Sequence, residues 1–169
     1  GVQTCALPIS GGKFDDSAYK TSGGLHGVGS SVVNALSTYM DVKISRDGAV
    51  HHDRYERGIP VVELEDGLLP VIGKTKKTGT CVNFLPDPTI FEKTRFKEEE
   101  IKSRLHETAY LNPELTIIFT DKRKTQEERI EYHEPDGIIG FIKDLNSKKE
   151  VIHDPVYYKG EAEGIEVEV

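Results

Sequence analysis

Residues 21–37, TSGGLHGVGSSVVNALS, decide how this sequence is interpreted. Four glycines (Gly23, Gly24, Gly27 and Gly29) fall within seven positions, and an amphipathic pattern starts directly after them. Val28, Val32 and Leu36 recur at helical spacing, which predicts a helix from Val28 to about Met40 with one buried stripe. Glycines let backbone N–H groups approach a ligand, and a helix start directs unpaired N–H groups to the same place. The segment therefore predicts an anion site, with a polyphosphate as the natural guest.

Two familiar phosphate-binding motifs do not fit this segment. A P-loop needs Gly-Lys followed by Ser or Thr at the helix start, and the segment has none. A dinucleotide-binding turn needs G-x-G-x-x-G directly after an apolar strand. Here the order is Gly24-x-x-Gly27-x-Gly29, and the preceding KFDDSAYKTS is not a buried strand. Composition alone leaves a second interpretation open, a glycine-rich loop that only turns tightly.

Composition bounds the class of protein. The chain has 169 residues, of which 36% are hydrophobic and 30% charged, enough for one globular domain with a core. A mean hydropathy of −0.46 argues against a transmembrane span, so no membrane partner is predicted. The net charge of −7 argues against a nucleic-acid surface over most of the chain. Cys5 and Cys81 do not make a disulfide framework, which favours a cytoplasmic location.

Periodicity predicts an α+β layer fold with a mixed, mostly antiparallel sheet covered by helices on one face. Residues 41–57 are predicted to form a hairpin that turns at Asp47-Gly48. Residues 97–112 and 135–146 are predicted to form helices, the second with Ile138, Ile142 and Leu145 inward. Further strands are predicted in VVEL (61–64), GTCVNF (79–84, with Thr80, Val82 and Phe84 on one face), ELTIIFTDKR (114–123), RIEYH (129–133), DPVYYKG (154–160) and EGIEVEV (163–169).

Several segments resemble one known family. Residues 11–36, GGKFDDSAYKTSGGLHGVGSSVVNAL, resemble the ATP-lid segment of the B subunits of bacterial type II DNA topoisomerases, which belong to the GHKL ATPases. Segments that resemble the same family come after it in the same order: YERGIPV (55–61), KTGT (77–80), FLPDPTIF (84–91), RLHETAYLN (104–112), TDKR (120–123) and YYKGEAEGIEVEV (157–169). The resemblance runs from Gly11 to Val169. It implies a GHKL (Bergerat-type) two-layer α/β sandwich, incomplete at both ends.

The resemblance also implies a domain organisation. Residues 11–153 match the C-terminal part of the GHKL ATPase domain, including its ATP lid, and residues 154–169 match the start of the transducer domain. Residues 1–10, GVQTCALPIS, differ in pattern from the rest of the chain and are predicted to be a non-native leader. The alternation in GIEVEV stops without a turn, so the chain is predicted to be an internal piece of a longer protein.

Family site residues carry over only where the motifs match. The resemblance implies that the triphosphate is wrapped by the backbone of Gly24, Leu25, His26, Gly27, Val28 and Gly29. It implies that Lys13 and Tyr19 contact the nucleotide and that Thr80 helps to hold the adenine. Arg46 matches the outer rim of that pocket, where aminocoumarin inhibitors bind. Each also has a plain structural interpretation: Thr80 as an ordinary strand residue, for instance, or Arg46 as a residue flanking a turn. His51 and His52 are not a metal pair, because adjacent strand residues face opposite ways.

The family's remaining catalytic parts lie upstream of the matching segment. They are a glutamate general base, an asparagine that ligates Mg²⁺ and an aspartate that reads the adenine. The chain is therefore predicted to bind ATP, with the Mg²⁺ ligand outside it, to contain no catalytic residue and to be inactive alone. The implied parent is an ATP-hydrolysing type II DNA topoisomerase.

The resemblance implies partners as well. They are a second copy of the B chain, the A subunit of gyrase or topoisomerase IV, and DNA contacted mainly by other parts of the parent. YERGIPV favours the gyrase branch of the family, whereas residues 19–37 resemble the topoisomerase IV branch. We take gyrase as the prediction, topoisomerase IV as the alternative, and a non-catalytic GHKL-like nucleotide-binding or interaction domain as a third possibility.

Overall fold

The computed structural model describes residues 28–123 and 125–169, and the chain divides into two compact units between Arg95 and Phe96. The described part of the first unit contains helix α1 and five strands. Their bounds are α1 Gly29–Ala35, β1 Ser37–Arg46, β2 Ala49–Glu56, β3 Ile59–Pro60, β4 Val71–Lys74 and β5 Gly79–Pro86. The strands form an antiparallel sheet in the order β3-β2-β1-β5, with β4 also paired to β2. Met40 and Ile44 of the central strand β1 are buried.

The β1–β2 hairpin confirms the prediction for residues 41–57. Arg46 pairs with Ala49, so Asp47 and Gly48 make a two-residue turn. Their φ angles are 53° and 83°, the left-handed values that a hairpin turn of this kind requires. Asparagine, aspartate and glycine are the residues that tolerate such values at least cost, so this turn is encoded locally.

Helix α1 is much shorter than its periodicity predicts. It ends at Ala35, and the chain enters β1 at Ser37, so the prediction of a helix to Met40 is wrong. The buried Ser37 hydroxyl donates to the carbonyl of Val33 at 2.6 Å, and pairing of β1 with β5 begins at the same residue. Val32 is 50% exposed, so the predicted burial of that position is also wrong. The sheet uses Met40 as core and overrides the helical pattern.

Residues 61–64, VVEL, are not a strand, and the prediction of one there is wrong. They lead into a second tight turn, in which Glu65 and Leu68 exchange backbone hydrogen bonds of 2.9 Å. Asp66 and Gly67 occupy that turn with φ angles of 51° and 79°. The strand that pairs with β2 comes later, at β4, and the GTCVNF strand lies within β5 as predicted.

The second unit contains two helices and two hairpins in its described residues. Their bounds are α2 Glu98–Leu111, β6 Ile117–Asp121, β7 Glu128–Tyr132, α3 Gly137–Asn146, β8 Lys159–Ala162 and β9 Ile165–Glu168. The hairpins β6–β7 and β8–β9 are both antiparallel. The Nζ of Lys102 in α2 lies 2.7 Å from Oε1 of Glu128 in β7 and 2.5 Å from Oε1 of Glu98 in its own helix. This ion-pair network ties α2 to the β6–β7 hairpin.

Helices α2 and α3 meet through small residues and aromatic rings. A Cβ atom at Gly140 would lie 3.3 Å from the Tyr110 ring, and the Tyr110 and Phe141 ring centroids are 5.2 Å apart. Ile142 and Leu145 of α3 are exposed, so the prediction that they face inward is wrong. Their spacing is helical, but the close approach at Gly140 and Phe141 selects a different face of the helix for packing.

The predicted α+β class with mostly antiparallel sheets is confirmed. Among the helices of residues 28–123 and 125–169, none has the length and apolarity needed to cross a membrane. The domain boundary between residues 153 and 154 stays a prediction, and the predicted leader at residues 1–10 lies outside the described residues.

Candidate nucleotide site

The start of α1 carries the two described members of the predicted phosphate-binding segment. Val28 is the residue before the helix and Gly29 is its first residue. Val28 is about half exposed, and a Cβ atom added at Gly29 would meet nothing within 4 Å. Space is therefore open beside this helix start, as far as the described residues define it. Lys13, Tyr19, Gly24, Leu25, His26 and Gly27 lie outside the described residues.

Arg46 and Thr80, the two predicted pocket residues on the sheet, share one face of it. Thr80 of β5 pairs directly with Ile44 of β1, and paired residues in antiparallel strands point to the same side. Arg46 is two residues beyond Ile44 on β1, so it lies on that side as well. Both side chains are exposed, and Arg46 is ion-paired with Asp47 at 3.3 Å. The sheet therefore brings the predicted adenine residue and the predicted rim residue to diagonal positions.

The opposite face of the sheet carries a polar cluster. His52 pairs with Lys43, one residue away from the Ile44 row, and its Nε2 lies 2.7 Å from Oδ2 of Asp41. The Arg54 guanidinium lies 3.6 Å from the same carboxylate and 4.9 Å from the centre of the Tyr39 ring. The hydrogen bond from His52 is the main reason that the pKa of Asp41 lies below its ordinary value. His51 and His52 thus project from opposite faces, as strand alternation predicts.

Sequence reasoning missed a buried carboxylate next to this sheet, Asp87. Only 1% of it is exposed, and its Oδ2 accepts a hydrogen bond of 2.6 Å from Nε of Arg57. Its Oδ1 accepts from the backbone N–H and the hydroxyl of Thr89 at 2.8 and 2.7 Å. The bond from Arg57, followed by those from Thr89, lowers the pKa of Asp87 to about 2.

Part of this arrangement has a local sequence signal. Aspartate two residues before a threonine, as in Asp87-Pro-Thr89, is typical of a turn closed by the aspartate side chain. Arg57 is 30 positions away, however, and nothing local marks it as the partner. The pairing depends on the tertiary fold, which brings the β2–β3 turn to the end of β5.

No protein-family model matches this chain. The DNA gyrase B chain of Bacillus cereus is 46% identical over 162 residues, and that of Streptococcus pyogenes serotype M3 is 49% identical over the same length. Each alignment covers 95% of this chain. The chain is homologous to the B subunits of bacterial type II DNA topoisomerases. The DNA topoisomerase 4 B chain of Streptococcus pneumoniae serotype 4 is also 49% identical over 162 residues.

A solved structure supports the same family at the level of the fold. The 43K ATPase domain of Thermus thermophilus gyrase B, in complex with an aminocoumarin, aligns with a TM-score of 0.71 and 36% identity. The alignment covers 84% of this chain and 38% of that chain. The predicted GHKL fold is thereby confirmed. The chain spans 39% of the Bacillus cereus relative and 24% of the two streptococcal relatives.

Proposed function

We propose that this chain supplies the ATP lid and part of the nucleotide pocket of an ATP-dependent type II DNA topoisomerase, as a segment of its B subunit. The observation that carries the proposal is 46–49% identity, over 95% of the chain, to proteins named as such B subunits. The similarity to a gyrase B ATPase domain supports assigning the chain to the ATPase part of the B subunit. The activity of the whole enzyme belongs to the longer protein, because the chain spans less than half of each of these relatives.

The residues have separate roles in the proposed site. Backbone N–H groups of Gly24 to Gly29 surround the triphosphate, since glycine and helix-start amides approach anions without steric hindrance. Lys13 adds a mobile positive charge for phosphate, and Tyr19 contacts the nucleotide. Thr80 holds the adenine side from the sheet. Arg46 forms the rim, where an aminocoumarin is proposed to bind.

Mg²⁺ is proposed to accompany ATP and to neutralise charge on the phosphates. Within residues 28–123 and 125–169, no three His, Cys, Asp or Glu side chains gather into a group that could hold a metal ion. The ligand residue is proposed to lie outside this chain, together with the general base and the aspartate that binds adenine.

In the intact enzyme, ATP binding is proposed to drive dimerisation of two B subunits, which capture a DNA segment for strand passage. The other proposed partners are the A subunit and DNA, the latter contacted mainly by other parts of the enzyme. The proposed location is the cytoplasm.

Gyrase is the proposed branch, and topoisomerase IV is the alternative. Gyrase B is the name of the Bacillus cereus relative and of the similar ATPase domain, but both branches reach 49% identity. The deciding experiment pairs the full-length B chain with its A subunit. Introduction of negative supercoils into relaxed plasmid supports gyrase, whereas decatenation without supercoiling supports topoisomerase IV.

Calorimetric titration of the full-length B chain with a non-hydrolysable ATP analogue tests the site itself. We expect saturable binding that competes with an aminocoumarin. Absence of binding would contradict the proposal. Binding without any ATP hydrolysis by the full-length protein would instead favour the third possibility, a non-catalytic nucleotide-binding domain.

A further inference from the structure

Helix α1 has little of its own to fix its direction. It has seven residues, none of them buried, and Val28 makes no side-chain capping bond at its start. Isolated helices need roughly 12–15 residues to be even marginally stable in water. Whatever holds its C-terminal end therefore contributes to fixing the direction of α1.

Two neighbouring turns hold that end. The backbone N–H of Asp87 donates to the carbonyl of Leu36 at 3.0 Å, and the backbone N–H of Arg57 donates to the carbonyl of Thr38 at 3.3 Å. Gly58 follows Arg57 with a φ of +81°, and a Cβ atom there would lie 3.6 Å from the Cα of Ala35. The β2–β3 turn and the end of β5 thus contact the junction between α1 and β1.

An ion pair joins the two turns to each other. The Nε of Arg57 donates to Oδ2 of Asp87 at 2.6 Å, and Thr89 occupies the other carboxylate oxygen with two hydrogen bonds. We call this pair the Arg57–Asp87 latch. Asp87 is buried, and both of its carboxylate oxygens accept hydrogen bonds. Its carboxylate is therefore held in place and, by binding Arg57, can hold the β2–β3 turn.

Because α1 is short, a small change at its C-terminal end would displace the residues at its start, where the ligand is proposed to bind. A helix rises 1.5 Å per residue, so the seven residues of α1 span roughly 10 Å. A tilt of about 10° at the C-terminal end would therefore move Gly29 by roughly 2 Å. Misplacement of a binding group by about 1 Å is enough to matter for a preorganised site.

We propose that the Arg57–Asp87 latch is a positioning element for nucleotide binding, because it fixes the end of α1 and so sets where Val28 and Gly29 meet the ligand. The inference rests on the proposed function. Arg57 and Asp87 act through α1 and are positioning residues, and neither is assigned a contact with ATP.

The test uses calorimetry to compare two ligands on the full-length B chain. One is a non-hydrolysable ATP analogue, which needs α1, and the other is an aminocoumarin, which is proposed to use the Arg46 rim instead. Arg57→Met and Asp87→Asn should each lower the affinity for the ATP analogue about tenfold and change the affinity for the aminocoumarin less than about twofold. The double variant should lose no more affinity for the ATP analogue than either single variant, because each single substitution already removes the same interaction.

Two further variants sharpen the comparison. Arg57→Lys should restore part of the affinity, since an ammonium group can donate to the same carboxylate oxygen. Arg104→Met is the matched control, because Arg104 is an exposed arginine of α2 that also pairs with a carboxylate, that of Glu107 at 2.9 Å. It should bind both ligands like the unmodified protein.

The outcomes separate this inference from the proposed function. The latch is overturned as a positioning element if the affinities for both ligands fall equally, or if folded variants keep an unchanged affinity for the ATP analogue. If the unmodified protein binds the aminocoumarin but not the ATP analogue, the proposed function fails and the inference fails with it. Where Arg57→Met does not fold, the ratio of the two affinities in Arg57→Lys and Asp87→Asn decides.

Discussion

Thr80 of β5 is the antiparallel partner of Ile44 of β1, so the two side chains lie side by side on one face of the sheet. Ile44 is 8% exposed, whereas Thr80 is exposed. Ile44 and Thr80 are therefore neighbours on one face but differ in exposure. Ile44 contributes to the core, and Thr80 remains accessible to a ligand.

Replacing Thr80 by alanine should weaken the affinity of the full-length B chain for the ATP analogue by up to about tenfold, which corresponds to one hydrogen bond. The free energy of unfolding should change little, because the side chain is exposed. Ile44→Ala should instead lower that free energy by about 2–5 kcal/mol. Cys81→Ala, one residue along and on the other face, is the control for both measurements. A Thr80 variant that binds the analogue normally would remove Thr80 from the site.

Gly29 provides a test of the phosphate-binding segment that leaves the fold intact. The space beside it is open, so an added Cβ atom meets no described protein atom within 4 Å. Gly29→Val should therefore leave the thermal unfolding midpoint of the chain unchanged or slightly raised, since valine favours helix over glycine. The same change in the full-length B chain should abolish ATP binding, because the side chain would occupy the proposed path of the phosphate. Normal ATP binding by a folded Gly29→Val variant would contradict the proposed role of this residue.

Asp87 should make the stability of the chain depend on pH in the acid range. Its pKa is lowered from 3.8 to about 2, mainly by the bond from Arg57, so folding favours the ionised carboxylate. This contribution is complete above about pH 4 and is lost as the pH falls toward about 2. Urea unfolding at about pH 5 and about pH 2.5 should show a smaller loss of free energy in Asp87→Asn than in the unmodified chain. Equal losses in the two proteins would show that Asp87 does not carry the dependence.

Tyr110 anchors the second unit. It is 6% exposed, its ring stacks on His106 at 4.7 Å between centroids, and Phe141 of α3 lies against it. Tyr110→Ala should lower the free energy of unfolding by about 3 kcal/mol, because it removes the ring that α2 and α3 share. Tyr158→Ala is the matched control, since Tyr158 is 61% exposed, and it should cost less than about 0.5 kcal/mol. Similar losses in both variants would argue against a packed interface at Tyr110.

The elements predicted well are those whose geometry is encoded over a few residues. Asp47-Gly48 specifies its turn because both residues accept a positive φ, and alternation then fixes the strands on either side. The same alternation places Thr80 in a strand. Its position beside Ile44 needs the register, which a single sequence does not specify.

The errors arise where tertiary contacts decide between patterns. Residues 37–40 continue the helical spacing of α1, but pairing with β5 draws them into β1 and buries Met40. In α3, close packing at Gly140 selects the contact face, whereas the apolar residues Ile142 and Leu145 suggest another. The Arg57–Asp87 pair lies beyond local reasoning altogether, because 30 positions separate its members.

The 169-residue chain by itself should not hydrolyse ATP. The proposed backbone amides and lysine can stabilise phosphate charge, but hydrolysis also requires a positioned water and a base that accepts its proton. It further requires charge neutralisation on the transferred phosphoryl group, the part usually played by Mg²⁺. The general base, the metal ligand and the adenine-binding aspartate are all proposed to lie outside this chain. Phosphate release by the purified chain with ATP and Mg²⁺ should therefore equal that of a protein-free blank, while the full-length B chain turns over in the same assay. Turnover by the 169-residue chain at the rate of the full-length protein would show that the catalytic residues lie within it after all.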